Sequence, residues 1–197
     1  LVFYNQARPF DDIDLRSIGA RVKHMGVVNH ARGYIYKMRG SDLKDKDFDK
    51  ATIMLQKARE NFEEVLESNP TNFVTLRNCG QVLQQIETIN AKRADPNCNT
   101  LDLEDPIVST AAEYYSRAVE ASPKDTHSLY QYAQFLVKCQ KFQEAEEYFL
   151  RSLEADPKHA AALVDFGVLL VNLGHEDVGN LLLGCVTEEE YARIYHI

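Results

Sequence analysis

Six histidines, four cysteines and one run of glutamates are the residues of this chain whose types could do chemistry. Two histidines on one helix can hold a metal ion only when they share a face, three or four residues apart. The six are His24, His30, His127, His159, His175 and His196, and no two of them meet that spacing. His24 and His30, the nearest pair, face different sides of a helix. Cys79, Cys98, Cys139 and Cys185 are scattered, with no Cys-x-x-Cys pair for a metal or a redox couple. Glu188–Glu190 follow Thr187, which marks a helix N-terminus rather than a pair of catalytic carboxylates. The sequence contains no glycine-rich phosphate loop, no His-Glu-x-x-His helix and no nucleophile elbow. It therefore reads as a chain that is not an enzyme and has no cofactor and no metal, so any specific chemistry lies in binding.

The elements that would position a binding surface come from a repeat. Pro123 and Pro157 are 34 residues apart, and Pro70 lies 53 before Pro123, one period plus an insertion of 19. After each proline the same helical face recurs. It is Leu76, Cys79, Gly80 and Leu83, then Leu129, Tyr132, Ala133 and Leu136, then Leu163, Phe166, Gly167 and Leu170. Before each proline a small–aromatic–small face recurs as Ala58, Phe62 and Val65, Ala111, Tyr115 and Ala118, and Ala145, Phe149 and Ser152. The proline ends one helix and sets the entry of the next.

The spacing predicts helices over about 14–39, 49–68, 72–91, 106–121, 126–138, 142–155, 160–173 and 176–185, with another starting at Thr187. Asp105-Pro106 is a helix start. The insertion, about Ala91–Asp105, reads as a surface loop pinned to the array by Leu101 and Leu103.

Composition bounds the partner. The chain has 197 residues, is 45% hydrophobic and carries a net charge of −8. An acidic protein is poorly suited to nucleic acid or an anionic membrane, and no apolar stretch is long enough to span a bilayer. Unpaired cysteines in a chain large enough to build its own core suit a reducing setting, cytoplasmic or nuclear. The charge is uneven: Leu15–Ser41 holds six basic residues and no acid. The chain starts at Leu1 and ends inside a helical pattern, so it reads as part of a larger protein.

These three phased copies resemble the tetratricopeptide repeat family. The match is continuous over Thr126–Pro157, covers Phe73–Pro123 with one insertion, and extends over Ala160–Val186 with Gly179 where the family prefers Ala. The resemblance implies an all-α fold, a right-handed superhelix of antiparallel helix pairs with a C-terminal capping helix. The units would be 14–70, a divergent first repeat, then 73–123 with the loop at about 91–105, then 126–157, 160–186 and a cap from 187 to 197. In the first unit Val27, His30, Ala31 and Tyr34 stand for the first-helix face, in an ambiguous phase.

The resemblance also implies a concave groove, lined by the first helix of each unit, that holds a peptide or helix of another protein. Its ligand-facing residues would be Arg77 and Gln81, Tyr130 and Gln134, Val164 and Val168, and in the first unit Val28 and Arg32. The family's carboxylate clamp is matched at one of its five positions, by Asn78, so chaperone-tail binding is not expected. A basic end at Arg32 and Arg77 and an apolar end at Val164 and Val168 would suit an acidic, amphipathic segment. Three readings stay open: an interaction scaffold, a self-associating homodimer module, or a regulatory array fused to an enzyme.

Overall fold

Nine α-helices and no strand make up the described residues of the computed structural model, which are 25–195. The expected start at Asp14 lies outside them, as do Arg16, Arg21, Lys23, His24, His196 and the side chain of Tyr195. The helices are α1 Met25–Leu43, α2 Phe48–Ser68, α3 Phe73–Ala94, α4 Pro106–Ala121, α5 Thr126–Lys138, α6 Phe142–Ala155, α7 Ala160–Asn172, α8 Glu176–Leu183 and α9 Glu188–Tyr195. None is long and apolar enough to cross a membrane.

The repeated phrase produces a repeated geometry. Asn69, Ser122 and Asp156, each directly before a proline, have φ, ψ of −143°, 81°, then −143°, 84°, then −142°, 94°. A residue before proline is barred from the α region, so α2, α4 and α6 all stop at the same point of their repeat. The next helix is then started by a side-chain cap. Asn72 accepts from Thr75 N–H, Asp125 from Ser128 N–H and His159 from Ala162 N–H.

Helices pair as α1/α2, α3/α4, α5/α6 and α7/α8, and each pair packs on the next. The first helices α1, α3 and α5 also touch one another, which places them on the inner side of the curve. In the α1/α2 and α3/α4 pairs the buried aromatic of the second helix meets a glycine of the first, Gly33 against Phe62 and Gly80 against Tyr115. Phe62, Tyr115 and Phe149 are all at most 1% exposed. A methyl group on Gly80 would lie 3.0 Å from the Tyr115 ring.

That rule fixes the phase of the first repeat, which differs from the expected one. The small residue opposite Phe62 is Gly33, where an added Cβ would lie 2.7 Å from the ring; Ala31 is exposed. One period further along α1, Gly40 would meet Leu55 at the same distance. The first-helix face is therefore shifted by two residues, and α1 runs on to Leu43 because Gly40 packs instead of terminating it. Gly179 has a similar cause: its Cβ would sit 2.7 Å from the Gly167 carbonyl oxygen, so α7 and α8 meet glycine to glycine where the family's Ala does not fit.

The insertion leaves α3 after Ala94. Leu101 is buried in the core and its N–H donates to the Lys138 carbonyl at 2.9 Å, so the loop is tied to the end of α5. At the other end, the Thr187–Glu190 capping box forms as expected: Glu190 accepts from the Thr187 N–H and hydroxyl at 3.0 and 2.9 Å. The helix it starts, α9, packs on α7. Tyr191, on this helix of the expected cap, is 42% exposed.

Candidate functional site

The inner face of the curve is a row of polar side chains that stitch each first helix to the next. Between α1 and α3, His30 Nδ1 and Thr75 Oγ1 lie 2.9 Å apart, Lys37 donates to Asn78 Oδ1 at 2.6 Å and Gln81 Oε1 at 2.7 Å, and Ser41 donates to Gln85. Between α3 and α5, Arg77 donates to Asp125 at 2.8 Å. Between α5 and α7, Tyr130 and Gln134 both donate to Asp165 Oδ2, at 2.8 and 2.7 Å. Asp125 also caps α5, so one carboxylate fixes both a helix start and a repeat junction.

Of the residues expected to face a ligand, Arg77, Asn78, Gln81, Tyr130 and Gln134 do lie on this face, and all five are engaged in the stitching. Val168 is 43% exposed there. Val164, expected on the same face, is fully buried and so is closed to a ligand in this structure. The two-residue shift of α1 also replaces Val28 and Arg32. Arg32 Nε is buried without a hydrogen-bond partner, and the positive field felt at His30 comes from Lys37 and Arg77 rather than from Arg32.

Lys37 is the residue that sequence reasoning missed. It is 9% exposed and donates to two neutral amide oxygens, and no carboxylate pairs with it among the described residues. Burial, then the Arg77 guanidinium, holds its pKa down at about 8. A cation taken out of water without an anion costs free energy, here on the order of 3 kcal/mol for a shift of that size. The signal in the sequence was Gly33 and Gly40, seven apart, which set the phase that turns Lys37 inward.

The tetratricopeptide repeat family model matches residues 108–164, from the first turn of α4 to the second turn of α7. Over those residues the chain carries tetratricopeptide repeats. A double mutant of MamA (RS-1) shares the fold with a TM-score of 0.61, over 91% of this chain and 83% of its own, at 17% identity. MamA from residue 41 to its end, from Desulfovibrio magneticus RS-1, covers 78% of this chain and 92% of its own at a TM-score of 0.51 and 14% identity. At such identities the likeness is one of fold. No curated protein matches the chain by sequence.

The repeats place three histidines near the beginnings of first helices on the inner face. His127 and His159 lie with ring centroids 5.9 Å apart, and His159 is 4.9 Å from the Tyr130 ring. Burial is the largest cause lowering all three pKa values from 6.5. Lys37 and Arg77 add to this at His30, and Arg77 at His127, while Asp156 and Asp165 oppose it at His159. The neutral His159 ring accepts the Ala162 N–H at Nδ1 (3.1 Å), so a proton there would remove the cap of α7. A histidine whose pKa is lower folded than unfolded contributes stability above its unfolded value, and that stability is lost as pH falls through the folded value. Lys37 has the same sign, with stability rising between about 8 and 10.5. Unfolding free energy should therefore fall steadily between about pH 7 and pH 5. Urea titration followed by circular dichroism, the chain having no Trp, checks this. His159→Asn, which keeps a capping acceptor, should flatten part of the slope.

Proposed function

We propose that the chain is a protein-interaction scaffold whose inner face binds an acidic, amphipathic segment of a partner protein. The observation that carries this is Lys37, a cation held on the inner face by Asn78 and Gln81 with no anion beside it among the described residues. A ligand carboxylate would supply the missing counter-charge, and it would meet a hydrogen-bonding frame already set by neighbouring repeats. Arg77, itself paired with Asp125, adds to the field and holds the junction. Beyond Gln134 the face becomes apolar around Val137 and Val168, which suits the hydrophobic side of the same segment.

The net charge of −8 makes the test discriminating, because non-specific attraction would favour a basic peptide. Two labelled amphipathic peptides, one of Glu and Leu and one of Lys and Leu, are compared by fluorescence anisotropy. The Glu/Leu peptide should bind more tightly, and Lys37→Gln should weaken it by about tenfold, the worth of one desolvated charge pair. A preference for the Lys/Leu peptide, or no effect of Lys37→Gln, would overturn the reading.

A further inference from the structure

Between α5 and α7 the inner face opens into a cavity of about 480 Å³. Its walls are apolar, with Val137, Phe142, Phe149, Val168 and Leu173, and its two ends differ in charge. At one end are Gln134 and Asp165, already joined by a hydrogen bond of 2.7 Å. At the other are Lys138 and Asn172. Lys138 follows Gln134 by four residues and Asn172 follows Asp165 by seven, so the charged ends are about 6–10 Å apart along the parallel helices.

Lys138 is half-buried, and among the described residues no carboxylate pairs with it. Burial, then Lys44 and Lys92, lowers its pKa. Lys138 therefore lines an apolar cavity, near other cations and with no carboxylate partner among the described residues. The opposite end is held by the Asp165 carboxylate.

We infer that this cavity receives one large apolar side chain of the partner, such as Phe, Leu or Met, with an Asp or Glu of the partner beside it at Lys138. This deepens the proposed groove function and rests on it. It also orients the ligand: its acidic flank must lie toward the C-terminal ends of α5 and α7, because at the other end Asp165 would repel it. The site is separate from Lys37, which belongs to the α1–α3 junction. The groove therefore grips its ligand at two points, with Lys37 reading charge and this cavity reading an apolar side chain in a fixed direction.

Small probes test the cavity alone. N-acetyl-phenylalanine carries an apolar side chain and a carboxylate, and N-acetyl-phenylalaninamide lacks the charge. Each is titrated into the uniformly 15N-labelled 197-residue chain and followed by NMR. The acid should shift the amides of Val168 and Leu169 and bind about two- to fivefold more tightly than the amide, the upper part of the range for a half-exposed charge pair. Lys138→Met, which keeps the apolar stem, should remove the difference and leave amide binding in place. Lys37→Gln should change neither, so this result stands apart from that of the Glu/Leu peptide. Equal binding of the two probes, shifts confined to the Lys37 end, or a preference that survives Lys138→Met would overturn the assignment. So would sedimentation showing that Val168→Asp turns a dimer of the unliganded chain into a monomer, since the occupant would then be a second copy.

Discussion

Replacing Phe149 with Ala should lower the unfolding free energy by about 3–5 kcal/mol, the usual cost of a large aromatic removed from a closed core. Phe149 is 1% exposed and stacks on Phe166 with centroids 5.4 Å apart at an angle of 17°. It also meets the Tyr130 ring at 6.3 Å, so it joins α5, α6 and α7. Fixed by three helices, the site cannot collapse to fill the space. In a chain of this length each kcal/mol lowers Tm by about 2–4 °C, so a fall of about 6–20 °C is expected in a thermal melt. Because Phe149 also lines the cavity beside Lys138, the same variant should lose the carboxylate preference of the phenylalanine probes even where it remains folded. A loss below about 1 kcal/mol would mean that α6 and α7 do not pack through this ring.

Gly33→Val should destabilise the array by on the order of 3 kcal/mol, whereas Ala31→Val should cost a few tenths. The Cβ alone would lie 2.7 Å from two atoms of the Phe62 ring, and valine adds two more carbons in the same place. Phe62 is fully buried and has nowhere to move, so α1 must lift from α2. His30, Lys37 and Ser41 would be drawn away from α3 with it, and binding of the Glu/Leu peptide should fall in parallel. Ala31 is exposed, and nothing in the structure resists a larger side chain there beyond valine's weaker helix propensity. Chemical denaturation of the two variants decides between the two phases of α1: equal costs would restore the phase based on Ala31.

The helices whose edges carry prolines and caps were legible in the sequence to the residue. Over 106–121, 126–138 and 142–155 the expected and observed spans coincide, because Asp105, Asp125 and the residues before Pro123 and Pro157 act locally. The phase of α1 was not legible in this way, since it depends on which small residue meets Phe62, a contact 29 positions away in the chain. The inner face was legible as a location: Arg77, Asn78, Gln81, Tyr130 and Gln134 all lie on it. Their partners were not, because Asp125 reads as a helix cap and Asp165 as a polar break in an apolar helix until α3, α5 and α7 are set side by side. Val164 was placed by analogy between repeats, and its full burial is a tertiary outcome that the analogy does not carry.

The tie from Leu101 to the end of α5 changes how the array should come apart. A plain solenoid unravels one unit at a time from either end, since each unit knows only its neighbours. Here a segment that precedes α4 clasps the helix that follows it, so α5 cannot melt without releasing the loop and the Leu101 side chain from the core. The middle of the chain should thus behave as one cooperative block, with slow amide exchange through α4 and α5. The short, largely exposed α8 and α9 should open first and independently.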